Sequence, residues 1–279
     1  MLTARTRREL RSILIGATGD GERIGFVPTM GALHEGHMRL VGTVRRSCDV
    51  VVMSIFVNPL QFGPAEDFKK YPRSLERDSA MAAERGVDVL FAPNDDEMYS
   101  GKPAVTVTAG EMGSNWEGKT RPGHFDGVAT VVAKLFNIVR PDVVAFGQKD
   151  LQQVGVVRAL IEDLNFPVEM LVMPTVREPD GLALSSRNRY LDESQRKDAL
   201  VLSRALDAMK VLFKSGTTSG DMLVAAGKRV FADVPSAELD YLAAVDPKTF
   251  VQKSQVQPGD ALIVASKVGT TRLIDNVIL

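Results

Sequence analysis

The chain has 279 residues, 44% of them hydrophobic, with 34 basic against 35 acidic side chains and a formal net charge of −1. That length buries a large core and predicts two lobes, because single cores stop growing near ~250–300 residues. The balanced charge excludes a global field that would hold the chain on nucleic acid or on an anionic membrane.

No apolar run reaches the length of a membrane span, the N-terminal stretch carries no hydrophobic signal core, and Cys48 stands alone, which excludes an internal disulfide and a cysteine metal cluster. A cytoplasmic protein is therefore expected. Thr3 to Ile15 reads as a helix after a threonine cap, broken by Gly16 to Gly21. Ile24 to Val27 is a short apolar strand, Gly36 to Arg46 a helix, and Val50 to Val57 a continuous apolar strand, together a β-α-β unit. Ser74 to Arg85 follows as helix and Val87 to Ala92 as strand, bounded by Gly86 and Pro93. Then come helix Val128–Val139, strand Val143–Phe146, helix Leu151–Leu164 and strand Val168–Val172. This alternation predicts an α/β fold with a doubly wound parallel sheet over residues 1–177. After Arg177 the texture changes to a Pro-Asp-Gly turn, a polar Ser-Ser-Arg-Asn segment and a long helix from Asp192 to about Lys214. A further helix to Phe231 and strands near 239–245, 261–265 and 271–277 predict a smaller α+β domain over residues 178–279, closing over the site.

The segment from Pro28 to His37 carries the most chemistry, since two histidines three residues apart follow a strand and open a helix. A helix N-terminus offers unpaired N–H groups and a partial positive charge, so it suits an anion such as phosphate, and Gly31 and Gly36 allow close backbone approach. In a doubly wound sheet ligands bind beyond the carboxyl ends of the strands. The polar residues there are Met30, His34 and His37, then Asn58 and Gln61, then Gly147 to Asp150, with Ser185 to Asn188 at the boundary between the lobes. A zinc site is the rival use of an i, i+3 histidine pair, but a third and fourth ligand are not evident nearby. Lys149 can meet phosphates as a point charge and Arg187 as a forked donor. Asp150 reads as a helix cap, and Gln153 in the next turn can point back at a ligand. Arg121 to Gly127, with His124 and Asp126, reads first as a rigid connection, and Asn94 to Glu97 as a solvated turn and helix start.

The ordered set Pro28–His37, Phe56–Phe62, Tyr71–Arg73, Arg121–Phe125, Gly147–Asp150 and Asp180–Asn188 resembles the pantothenate synthetases, or pantoate–β-alanine ligases, over nearly the whole chain. A His-x-Gly-His loop alone points only to the wider nucleotidyltransferase superfamily, and the later motifs narrow it. The resemblance implies a Rossmann-like nucleotidyltransferase fold and an ATP-dependent ligation of pantoate to β-alanine. It also implies a pantoyl-adenylate intermediate, Mg2+ accompanying ATP, and a homodimer with no nucleic-acid partner. By motif position it places ATP on Met30, Gly31, Ala32, Leu33, His34, Glu35, Gly36 and His37, on Gly147, Gln148, Lys149 and Asp150, on Val176, and on Leu184, Ser185, Ser186 and Arg187. It places pantoate on Gln61 and Gln153, and β-alanine on Gln61. His37 is its proton donor, and His34, Lys149 and Arg187 complete the catalytic set. No metal ligand is assigned, although Asp150 and Asp78 are carboxylates placed to assist. Two departures stand out: Gln148 where the family commonly has Glu, and Asp126 where some members have Arg. The competing readings are an enzyme that leaves the nucleotide on its product and a nucleotide sensor without turnover.

Overall fold

The computed structural model describes residues 1–19, 21–64, 66 and 68–279. The chain divides into two compact units, Met1–Gly147 with Val156–Met173, and Gln148–Gly155 with Pro174–Leu279.

In the first unit β1 (Leu2–Ala4), β2 (Ile24–Thr29), β3 (Val50–Ile55), β4 (Val89–Phe91), β5 (Val143–Gly147) and β6 (Glu169–Met173) form one sheet. Its order is β1-β4-β3-β2-β5-β6 and every pairing is parallel. The helices are α1 (Arg7–Ala17), α2 (Glu35–Val44), α3 (Leu75–Glu84), the single turns α4 (Asp95–Met98) and α5 (Glu117–Thr120), and α6 (His124–Val139). α7 (Leu151–Asp163) joins this unit from Val156 onward. Parallel strands are covered on both faces and so read as unbroken apolar runs, as β3 does, with its first five residues buried. α2 turns Met38, Val41 and Val44 into one cluster with Val27, Val51, Met53, Val143 and Ala145, and Cys48 is buried beside them. Burial pushes the Cys48 thiol up, which suits packing and not reactivity. The direction of the strand order changes at β2, which has β3 on one side and β5 on the other. That switch point is where such sheets open a crevice beyond the strand ends, and the segment leaving β2 is Met30–His37.

One expected helix begins later than the sequence suggests. Leu2–Ala4 pairs with Val89–Phe91 as an edge strand, and α1 starts after Thr6, not Thr3. Thr6 Oγ1 accepts the Glu9 N–H at 3.1 Å while the Glu9 carboxylate accepts the N–H groups of Arg5 at 2.7 Å and Thr6 at 3.1 Å. This reciprocal box satisfies donors that Thr3 cannot reach.

In the second unit α8 (Glu193–Ala199), α9 (Val201–Lys214) and α10 (Gly220–Ala232) accompany an antiparallel sheet of β7 (Ala237–Val245), β8 (Ala261–Val268) and β9 (Thr271–Ile278) in that order. Its core joins Leu202, Leu206 and Met209 of α9, Leu223 and Phe231 of α10, and Leu242, Leu262 and Val264 of the sheet. The long helix expected from Asp192 is two helices, because the Leu200 N–H bonds back to Lys197 O at 3.3 Å and tightens the turn there. Neither Gly nor Pro marks that break in the sequence.

Candidate active site

The segment after β2 is bent by two successive left-handed residues, Gly31 at φ +82° and Ala32 at φ +51°. A left-handed alanine costs about 1–2 kcal/mol, so something must hold it. Asp78, in the first turn of α3 and 1% exposed, does so: its carboxylate oxygens accept the Ala32 N–H at 2.8 Å and the Leu33 N–H at 2.9 Å. A Cβ on residue 31 would lie 3.0 Å from Asp78 Oδ2, so Gly31 and Asp78 are matched. Thr29 Oγ1 extends the frame, donating to Ser54 O at 2.7 Å and accepting the Gly31 N–H at 3.1 Å.

His34 caps α2 and His37 lies in its first turn, with ring centroids 4.0 Å apart. His37 Nδ1 accepts the His34 N–H at 3.3 Å. An acceptor at Nδ1 leaves the proton of a neutral ring on Nε2, so His37 offers Nε2–H as a donor.

Gln61 follows β3 in a short 3₁₀ turn opened by Pro59 and capped by Asn58, whose side chain accepts the Leu60 N–H at 3.3 Å. Its Oε1 accepts from Asn58 Nδ2 at 3.1 Å, and its Nε2 lies 3.1 Å from Met30 Sδ, so the first two rim segments meet. Asn58 is 1% exposed, also donates to Gly127 O at 3.0 Å, and accepts from the Tyr99 hydroxyl at 2.8 Å. Burial raises the Tyr99 hydroxyl well above its ordinary value, keeping it a donor. Gly127 is required by close approach, since a Cβ there would fall 2.3 Å from Leu60 O.

The loop read as a rigid connection holds Gln61 from behind. His124 Nδ1 lies 2.8 Å from Gln61 O, and Arg121 Nη1 lies 3.1 Å from His124 Nε2. Arg121 also binds Glu66, at 2.6 Å through Nη2. Burial pushes the Glu66 carboxyl up, but the hydrogen bonds and charge of Arg121 outweigh it and hold it below the usual carboxylate range. Asp126, the departure at this loop, accepts the Ala109 N–H at 2.7 Å and the Thr108 hydroxyl at 3.1 Å. It ties down the 108–109 segment.

In the second unit Gln148–Asp150 form a 3₁₀ turn leading into α7. Lys149 Nζ lies 3.4 Å from Asp150 Oδ1. Of the adjacent glutamines Gln152 is 5% exposed, whereas Gln153 is more accessible. Val176 and Leu184 are brought together: the Leu184 N–H bonds Val176 O at 2.9 Å, and Arg177 bridges Ala183. Ser185 Oγ accepts the Arg187 N–H at 3.2 Å, so it shapes the turn that starts at Ser186. Two residues of β9 that the sequence reading did not single out complete this arrangement. Arg177 forks onto Asp275 at 2.7 and 3.0 Å, and Asn276 Nδ2 donates to the carbonyls of Gln148 and Lys149, both at 2.9 Å. The signal available in the sequence was an Asp-Asn pair between apolar Leu273-Ile274 and Val277-Ile278, where two buried polar groups need a reason. Among the described residues no three His, Cys, Asp or Glu side chains gather to hold a metal ion.

A six-stranded parallel sheet whose switch point opens onto a paired-histidine helix entrance defines a Rossmann-like α/β protein. A model of the family described as pantoate-beta-alanine ligase matches residues 2–278. A relative from Acidobacterium capsulatum called pantothenate synthetase is 53% identical over 266 residues, covering 95% of this chain and 89% of that one. The crystal structure of pantothenate synthetase from Thermus thermophilus is 50% identical with a TM-score of 0.94, covering 100% of this chain and 99% of that one. The Francisella tularensis pantoate-beta-alanine ligase, solved with beta-gamma ATP and beta-alanine, is 34% identical with a TM-score of 0.81 over 100% of this chain and 97% of its own. The chain belongs to the pantoate–β-alanine ligase family.

Proposed function

We propose that the protein is a ligase that joins pantoate to β-alanine at the expense of ATP, in two steps through pantoyl adenylate. Family membership supports the reaction, and the His37 ring, with Nδ1 engaged by the His34 N–H, is the observation that carries the mechanism. In the first step a pantoate carboxylate oxygen attacks the α-phosphorus, the α–β phosphoanhydride bond breaks, and pyrophosphate leaves. Charge grows on nonbridging and leaving oxygens, so fixed donors and cations accelerate the step and no covalent protein nucleophile is needed. The Nε2–H of His37 donates a hydrogen bond to the oxygens that gain charge, with His34 beside it on the phosphates, and Lys149 and Arg187 offset the leaving charge. The amides of Gln61 and Gln153 match the carboxylate and hydroxyls of pantoate as both donors and acceptors. In the second step the neutral amine of β-alanine, placed by Gln61, attacks the acyl carbon. The acyl–phosphate C–O bond breaks, AMP leaves, and the amine loses a proton.

The N–H groups of Ala32 and Leu33 are taken by Asp78. The ATP phosphates accordingly rely on the histidines and the first N–H groups of α2, and Asp78 serves as the frame of that loop. Mg2+ carried in with ATP would supply charge neutralisation at the phosphates, and no described carboxylate cluster would be needed to hold it. We place the reaction in the cytoplasm, and the enzyme as the homodimer that the resemblance implies. No described helix is long and apolar enough to cross a membrane. The test is ATP–pyrophosphate exchange with each substrate omitted in turn. Exchange is expected with pantoate and without β-alanine, and its absence from folded protein supplied with Mg2+ defeats the proposal. A product that retains AMP indicates a nucleotidyltransferase instead.

A further inference from the structure

We propose that Asp275 and Asn276, adjacent within β9, are positioning residues for adenylation, together fixing the Lys149 turn and the Val176–Arg187 hairpin. The inference rests on the reading of Lys149 and Arg187 as phosphate-binding groups.

Asn276 is 3% exposed and its amide is fully used: Nδ2 donates to Gln148 O and Lys149 O at 2.9 Å each, and Oδ1 accepts from Gln148 Nε2 at 3.1 Å. Two carbonyl acceptors fix which end of the amide is nitrogen, because a reversed amide would set its oxygen against both. Carbonyl oxygens are the negative ends of the backbone dipoles. Drawn onto Asn276, they are kept from facing an anion held by Lys149. Asp275, also 3% exposed, accepts both arms of Arg177 and the Asn276 N–H at 2.8 Å. Arg177 in turn donates to Gly181 O at 3.0 Å, across the hairpin that joins Val176 to Leu184. Neighbouring strand residues project to opposite sides, so a dipeptide can anchor two separate segments at once. The same geometry accounts for Gln148. An ionised Glu at that position has no donor for Asn276 Oδ1, and Asn276 cannot turn its nitrogen toward it without releasing both carbonyls. Gln148 and Asn276 are a matched amide pair.

The experiment is pantoate-dependent ATP–pyrophosphate exchange by the full chain, comparing Asn276→Ala, Asn276→Asp, Lys149→Ala and the Lys149→Ala/Asn276→Ala double variant. Asn276→Ala is expected to lower the exchange rate constant by about 10-fold and Asn276→Asp by more, with KM for pantoate unchanged, because the lost contacts act on the transition state. In the Lys149→Ala background Asn276→Ala is expected to cost under about 2-fold, since a residue acting through Lys149 has nothing left to position. An equal loss in both backgrounds, or wild-type exchange by Asn276→Ala while Lys149→Ala is slow, overturns the proposal. Wild-type exchange by Lys149→Ala overturns instead the phosphate reading beneath it, and the two failures are thereby told apart. Should Asn276→Ala not fold, the partly exposed Gln148→Glu removes the match without opening a cavity; a several-fold slower exchange supports the pairing, and an unchanged rate refutes it.

Discussion

The loop after β2 and the turn after β5 are held in opposite ways. Asp78 grips the first through backbone N–H groups, Ala32 and Leu33, whereas Asn276 grips the second through backbone carbonyls, Gln148 and Lys149. A carboxylate can only accept and an amide nitrogen can only donate, so each clamp selects which backbone groups remain for a ligand. In the first loop the groups outside the clamp include the His34 and His37 side chains and the N–H groups at the start of α2. In the second they are the lysine side chain and the turn's own donors. Under the proposed phosphate reading, what each clamp withholds shapes the site as much as what it offers.

The largest effect expected from this contrast is at His37. His37→Ala removes the Nε2–H while leaving the Asp78 clamp intact, and is expected to slow single-turnover adenylation by about 10²–10⁴-fold, with pantoate affinity little changed. A single-turnover rate equal to wild type would remove His37 from the mechanism. Asp78→Asn comes next and acts on the clamp itself. The amide can accept from one of the two N–H groups and sets its own donor against the other, so a loss of about 1–3 kcal/mol is expected in urea unfolding. KM for ATP is expected to rise as the left-handed bend at Gly31 and Ala32 relaxes. Wild-type stability and KM together would show that the loop holds its shape without the carboxylate.

How much of this was legible in the sequence depends on how local the determinant is. The alternation of strands and helices was readable because burial on both faces leaves apolar runs such as Val50 to Ile55, and the His34–His37 turn because four consecutive residues carry it. The edge strand Leu2–Ala4 was not, since three residues show no period and their partner is Val89–Phe91, far along the chain. The two clamps were hidden for the same reason. Asp78 lies 46 and 45 positions from the N–H groups it holds, and Asn276 lies 128 and 127 from its carbonyls. His124 stood in a visible motif, yet its work on Gln61 O at a separation of 63 could not be read from the motif.

That last contact gives a smaller effect that separates support from chemistry. His124→Ala removes the nearer of the two partners of the Gln61 carbonyl, at 2.8 Å, leaves Arg121 Nη2 at 3.4 Å, and keeps the Gln61 side chain in place. KM for pantoate is expected to rise by roughly 10-fold, on the scale of one hydrogen bond in a buried site, with the rate constant at saturation changing less. If KM stays at its wild-type value, the 121–127 loop is a connection only and has no part in holding Gln61.

The smallest effect concerns Glu66, the far end of the same support. Arg121 holds its carboxyl below the usual range against the opposing push of burial, so the folded protein releases this proton more readily than the unfolded chain does. The sign follows from linkage: the ion pair contributes in full above the unfolded carboxylate value, and the contribution is lost as pH falls through the lowered folded value. The window therefore lies below the ordinary range of a glutamate carboxyl. Both partners are partly screened, with side chains 22% and 16% exposed, so about 1 kcal/mol or less is at stake. Comparison of wild type with Glu66→Gln by urea unfolding at successive pH values is expected to show the gap between them constant above that window and shrinking as the pH falls through it. A gap that stays constant as the pH falls would mean that Arg121 draws its order from His124 and from the Gln61 carbonyl, 3.4 Å from its Nη2, and that Glu66 is not part of the frame behind Gln61.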